Sequence, residues 1–229
     1  MKTIGLIGGM SWESTALYYQ IINREVARRV GGLASAPLSL VSLNFQDIAD
    51  RQKVGDWAGM ASILSLAAQR LEQSGAACVL IGTNTMHRVA AQVQSATRLP
   101  LLHIADITAD AIERAGLTTV GLLGTRFTME QPFYVNRLAA RGIECVIPSP
   151  SERDEIHRII FEELCRGVLR EESRAVLVQI IATLQARGAQ GAVLGCTELP
   201  LLLQAPDSPL PLFDTTELHA LAAVEFCLH

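Results

Sequence analysis

Val193-Leu-Gly-Cys-Thr-Glu-Leu-Pro200 decides how this chain is read. An apolar run halts at Gly195, a cysteine follows at 196, and polar residues then open what reads as a helix. A strand ending in Gly-Cys puts the sulfur at the carboxyl edge of an open α/β sheet, where ligands bind. Amides of the first helical turn, capped by Thr197, are expected to lower the thiol pKa and favour the thiolate. The stretch also has a twin. Gly188-Ala-Gln-Gly-Ala-Val-Leu-Gly-Cys196 aligns with Gly75-Ala-Ala-Cys-Val-Leu-Ile-Gly-Thr83 at an offset of 113 (196 against 83), with Thr83 in place of the cysteine.

Two further matches keep the same order. Thr119-Val-Gly-Leu-Leu-Gly-Thr125 repeats Thr3-Ile-Gly-Leu-Ile-Gly-Gly9, with Gly121 on Gly5 at an offset of 116. Leu210-Pro-Leu-Phe213 repeats Leu99-Pro-Leu-Leu102 at an offset of 111. The chain is therefore a duplicated unit of alternating strands and helices. Its fold class is α/β: two pseudo-symmetric, doubly wound, mainly parallel domains, with residues 1–100 and 211–229 in the first and 101–210 in the second. Two such units facing each other put Thr83 and Cys196 on opposite walls of a shared cleft.

Between these landmarks the pattern predicts strands over 37–43, 76–82, 100–103 and 143–147, and a polar loop from Asn44 to Gly55. It predicts a helix entered through Met10–Thr15, with Ser11 or Ser14 as its cap, and running to about Val30, and others from Asp56 to Gln73 and from the Arg126-Phe127-Thr128 cap to Arg141. Further helices are expected over 152–167, after a turn at Ser149–Ser151, and over 171–187 and 215–228. Gly8-Gly9 permits a tight turn and close approach to a ligand, and the following helix start offers amides to an anion. The dinucleotide fingerprint is absent, so a carboxylate is favoured over a nucleotide phosphate, beside the plainer reading of a strand–helix turn.

Charged residues are only 18% of the 229 and hydrophobic ones 49%, enough for a well-buried core. No apolar run approaches the roughly 18 residues of a membrane helix, and the amino terminus lacks a signal-peptide core. A soluble cytoplasmic protein is expected. A net charge of −4 without a basic run argues against a nucleic-acid partner. Cysteines 78, 145, 165, 196 and 227 are odd in number and widely spaced, which argues against a disulfide framework and structural zinc. Lys2 and Lys53 are the only lysines, and neither is placed for a Schiff base, so pyridoxal phosphate is not expected. No cofactor or metal is implied.

Two equivalent groups on facing walls suit removal of a proton from one face of a carbon and its return to the other. Racemisation at an α-carbon is such a reaction. A thiol, with an ordinary pKa of about 8.5, is a suitable base. A threonine hydroxyl is a far weaker one, yet it can pass on a proton, directly or through water.

Gly82-Thr-Asn-Thr-Met-His87 and Val193–Pro200 resemble the two signature motifs of the aspartate/glutamate racemase family, which works without pyridoxal phosphate. Gly5-Leu-Ile-Gly-Gly-Met-Ser-Trp-Glu-Ser-Thr15 and Gly121-Leu-Leu-Gly-Thr-Arg-Phe-Thr-Met129 resemble its two glycine turns. The resemblance implies a site between two α/β domains, a homodimer, and a last helix returning to the first domain. It implies cysteine at both reacting positions, so Thr83 is a departure. Carried over residue by residue, Cys196 deprotonates an L-amino acid and Thr83 is the weak partner on the opposite face. Asn84, Thr85, Thr197 and Glu198 match positions that hold the amino acid. Met10, Gln52, Thr125 and Thr128 match others, where the glycine turns receive the two carboxylates of L-aspartate or L-glutamate.

Plainer readings stand beside these. Thr83 alone fits a helix cap, and Cys196 alone a buried small residue. His87, His103 and His219 read as core or surface histidines, and Asp47 and Arg51 as solvated loop charges. Two other functions also fit: a single-thiol decarboxylase or isomerase of dicarboxylic acids, as in the arylmalonate decarboxylases of the same superfamily, and a non-catalytic amino-acid binding protein.

Overall fold

A computed structural model describes all residues, Met1–His229. The chain forms two compact units, Met1–Ile104 with His219–His229, and Ala105–Leu218. In the first, Ile4–Gly8 (β1) lies between Leu38–Ser42 (β2) and Cys78–Ile81 (β3), all parallel. Successive residues of β1 and β3 point to opposite faces, and each face has its own cover. Ile4, Leu6, Cys78 and Leu80 pack with Tyr18, Ile22 and Val26 of Trp12–Val30 (α1) and with the carboxyl-terminal helix. Ile7, Val79 and Ile81 pack on the other side against Met60, Leu64, Ala68 and Leu71 of Trp57–Gln73 (α3). Burial on both faces is why these strands read as unbroken apolar runs.

Residues 44–55 are not the polar loop that the sequence implied. They form the helix Phe45–Val54 (α2), capped by the Asn44 side chain on the Gln46 N–H at 3.2 Å and ended by left-handed Gly55. Only Ile48 and Gln52 are fully buried, with Phe45 half-buried against the core, and the polar residues between them hide the period. The expected strand at 100–103 shrinks to one parallel bridge, Val79 to Leu101, before Ile104–Arg114 begins the next helix. After β3 comes a 3₁₀ turn, Thr85–Val89, and then the short helix Ala90–Ser95 (α4), which makes Ile104–Arg114 α5.

The second unit repeats the plan. Thr119–Gly124 (β4) lies between Glu144–Val146 (β5) and Gly191–Gly195 (β6), and Leu212–Asp214 (β7) pairs with β6, again all parallel. The registers repeat as well. Gly5 opposite Val79 becomes Gly121 opposite Ala192, and the Val79–Leu101 bridge becomes Ala192 opposite Leu212. These are the offsets 116, 113 and 111 expressed as hydrogen-bonded pairs. Because β7 completes the second sheet, residues 212–214 stay with that unit, and the chain re-enters the first at His219 rather than at residue 211.

The expected helix 126–141 is broken into Arg126–Glu130 (α6) and Pro132–Ala139 (α7). Gln131 precedes a proline and is forced into the extended region, φ −91° and ψ 143°. The expected turn at 149–151 is instead the start of Pro150–Arg158 (α8), where Ser149 and Glu152 form a capping box. That helix loosens into a π turn, Ile159–Glu163, and a 3₁₀ turn, Leu164–Arg166. Glu171–Ala186 (α9) packs Leu177, Ile181 and Leu184 under the sheet, and Thr215–Leu228 (α10) leads back into the first unit. No helix is long and apolar enough to cross a membrane.

Candidate active site

In the second unit the candidate residues gather at the carboxyl ends of β4 and β6. Gly195 closes β6 because space there is short: a Cβ would lie 2.9 Å from the Leu123 carbonyl oxygen and 3.3 Å from the Thr128 methyl. Cys196 comes next and is only 6% exposed. Its S–H donates to Glu198 Oε2 at 2.9 Å, and the Thr197 hydroxyl donates to the same oxygen at 3.1 Å. Burial and then the Glu198 carboxylate push the thiol's pKa well above its ordinary value, outweighing the Glu198 backbone N–H that favours the thiolate.

This reverses the expected thiolate. The chain beyond Cys196 makes only one 3₁₀ turn, Leu199–Leu201, too short to sum a useful dipole, and an acid two residues on faces the sulfur. Nor does Thr197 cap that turn. The N-cap position is Glu198, without a side-chain cap bond. The resting group is a buried thiol hydrogen-bonded to a carboxylate.

Neighbouring elements fix this corner. Thr215, at the start of α10, donates its hydroxyl to the Leu194 carbonyl at 2.7 Å. Asp214 accepts the N–H groups of Thr216 and Glu217 at 2.8 and 3.1 Å, and its burial raises its pKa to about 6. Thr125, rather than the Arg126-Phe127-Thr128 stretch, caps α6: its Oγ1 accepts the Thr128 N–H at 3.3 Å, and the two hydroxyls are 3.2 Å apart. Both threonines are buried.

In the first unit, Met10, Gln52 and Thr83–Thr85 come after β1, β2 and β3, three neighbouring strands. The backbone that Gly9 approaches is not a ligand's. With φ +83°, a Cβ at Gly9 would stand 2.1 Å from the Leu43 carbonyl oxygen, and the Gly9 N–H already donates to Thr15 Oγ1 at 2.8 Å. The Met10 side chain belongs to the apolar cluster with Ile48 and Met60, while Gln52 is buried on α2. Asn84 and Thr85 are buried and Thr83 is half-buried. The 3₁₀ turn Thr85–Val89 has Asn84 at its N-cap position, so capping does not account for Thr83. The Thr83 N–H donates to the Ile81 carbonyl at 2.8 Å, and its own carbonyl meets His87 Nδ1 at 2.8 Å.

A model of the Asp/Glu/hydantoin racemase family matches residues 7–223. The chain belongs to that family. The solved structure of a Yersinia pestis protein named as a candidate Asp/Glu racemase is similar over the whole of both chains, with 49% identity and a TM-score of 0.92. PH1733, an aspartate racemase homologue from Pyrococcus horikoshii OT3, is similar over the whole of both chains at 37% identity and a TM-score of 0.85. Picrophilus torridus aspartate racemase, at 20% identity and a TM-score of 0.78 over 99% of this chain and 94% of its own, shares the fold.

Among the remaining polar groups of this racemase-family chain, the three histidines form a buried cluster in the first unit. The His87 ring lies 4.5 Å from that of His103 and 5.8 Å from that of His219. Nothing in their spacing announced this, although His87 stands four residues after Thr83, one helical turn away. Arg51 is paired with Asp56, whose carboxyl is held below its usual range by the Gly59 N–H and then by Arg51. Asp47 is exposed.

Proposed function

We propose that the protein is a cofactor-independent amino-acid racemase acting on L-aspartate or L-glutamate. Cys196 is the base and Thr83 the weak partner on the opposite face of the α-carbon. The observation that carries the reading is the equivalence of the two positions. Cys196 follows Gly195 at the end of β6 and Thr83 follows Gly82 just past β3, an offset of 113, and the pairing of β3 on β1 repeats in that of β6 on β4.

The raised thiol pKa shapes the mechanism. The S–H of Cys196 already points at Glu198, which is the natural acceptor for its proton. A bound α-ammonium group stabilises the thiolate and makes that transfer favourable, so the base forms only when substrate is present. The thiolate removes the Cα proton of the L-amino acid. Thr83, or a water it holds, delivers a proton to the other face to give the D-enantiomer and regains one from solvent, while Glu198 releases to solvent the proton it took from Cys196. Asn84, Thr85, Thr197 and Glu198 surround the amino acid, and Met10, Gln52, Thr125 and Thr128 complete the substrate-binding set. The likeness of the four motifs also supports a homodimer working in the cytoplasm.

Incubation of the protein with L-aspartate or L-glutamate in D₂O tests the reading. Deuterium at Cα and growth of the D-enantiomer are expected, and Cys196→Ser abolishes both. Turnover of a malonate without Cα exchange would point to a decarboxylase, and tight binding without exchange to a binding protein; either result refutes the proposal. Thr83→Cys should admit D-substrates at a rate near that of the L-substrate. An unchanged preference for L would overturn the account of the asymmetry.

A further inference from the structure

We infer that His87 is a positioning residue for Thr83, fixing where its hydroxyl stands; the inference rests on the racemase reading above. His87 is 3% exposed. The Ile104 N–H donates to its Nε2 at 3.2 Å, so Nε2 carries no proton. Nδ1 is therefore the protonated nitrogen, and it donates to the Thr83 carbonyl at 2.8 Å. With its N–H on Ile81 and its carbonyl on His87, Thr83 is held at both backbone groups. A fixed backbone restricts the rotamers open to the hydroxyl.

The imidazole is itself immobilised. His103 packs edge-on against it at 64° between planes. Behind it, His219 Nε2–H donates to the Leu102 carbonyl at 2.7 Å, and the Tyr18 hydroxyl donates to His219 Nδ1 at 2.8 Å. Leu102 and Ile104 are thus tied to two imidazoles just where α5 begins and the chain leaves the first unit. A histidine present only to fill space needs no particular tautomer. One that holds Thr83 needs a proton on Nδ1.

Two substitutions separate these roles. His87→Phe keeps the ring's bulk and loses the donor, whereas His87→Asn keeps an N–H near the Nδ1 position. With L-substrate in D₂O, removal of the Cα proton leads either to deuterated L-amino acid or, with help from the Thr83 face, to D-product. The ratio of D-product to deuterated L-substrate should fall about tenfold in His87→Phe, since misplacing a reacting group by about 1 Å costs up to roughly a hundredfold. KM should stay unchanged, and His87→Asn should recover most of the ratio. A ratio unmoved in His87→Phe, or an Asn variant as impaired as the Phe one, overturns the inference. Ring ¹⁵N NMR of the wild-type protein needs no turnover: an Nδ1-protonated His87 supports the tie and an Nε2-protonated one overturns it. If the wild-type protein makes no D-product, the racemase reading fails by itself, and NMR still decides the tie.

Discussion

Glu198→Gln removes a negative charge 2.9 Å from the Cys196 sulfur while leaving the side chain's shape almost unchanged. Two unit charges at that separation, in an effective dielectric of about 20, repel by about 6 kcal/mol. That repulsion is the second cause, after burial, of the thiol's elevation. Burial persists in the variant and keeps the thiol above its ordinary value. The midpoint of Cys196 ionisation should therefore fall while staying above that of an exposed cysteine. Ultraviolet thiolate absorbance reads it, with Glu198→Gln/Cys196→Ser as the blank. Cys78 and Cys145, pushed by burial to about 11 and about 12, add little below that range. Turnover should move the other way, falling about a hundredfold or more as the proton acceptor is lost. A midpoint that stays put or rises would falsify the electrostatic account. Full activity in the variant would remove Glu198 from the proton path.

Two buried groups next to and within α10 oppose each other in acid. His219 is held down to about 4 by burial, so its share of stability is complete above about 6.5 and is lost as pH falls from there through 4. Asp214 is raised from 3.8 to about 6, so its share is present below 3.8 and is lost as pH rises through 6. Each is worth up to about 3 kcal/mol. Denaturant melts between pH 6.5 and 4 should show Asp214→Asn losing more stability on acidification than the wild type, and His219→Phe losing less; parallel curves would contradict both assignments. Gly124→Ala should cost about 2 kcal/mol or more, because its Cβ would meet the Gly195 carbonyl oxygen at 2.7 Å; an unchanged urea midpoint would show that the strands can give way. Ser149→Ala, which removes half of the α8 capping box, should cost about 1 kcal/mol and leave Cα exchange untouched; a large loss of exchange would contradict a purely local role.

The pairing plan of this protein was legible in its residues because it is written twice. Gly5, Val79 and Leu101 and their counterparts Gly121, Ala192 and Leu212 can be matched by spacing alone, and parallel strands buried on both faces leave apolar runs that survive comparison. The same duplication singled out Thr83 and Cys196. Weak local patterns misled: α2 fully buries only Ile48 and Gln52 among polar neighbours, and one proline divides the helix after β4. The protonation state of Cys196 and the tautomer of His87 lay beyond the sequence, because both depend on which atoms come within about 3 Å of them in three dimensions. The residue order allows Glu198 to face either the sulfur or solvent. Folding buried it against the sulfur, and charge interactions in a buried corner depend on that distance far more than on neighbourhood along the chain.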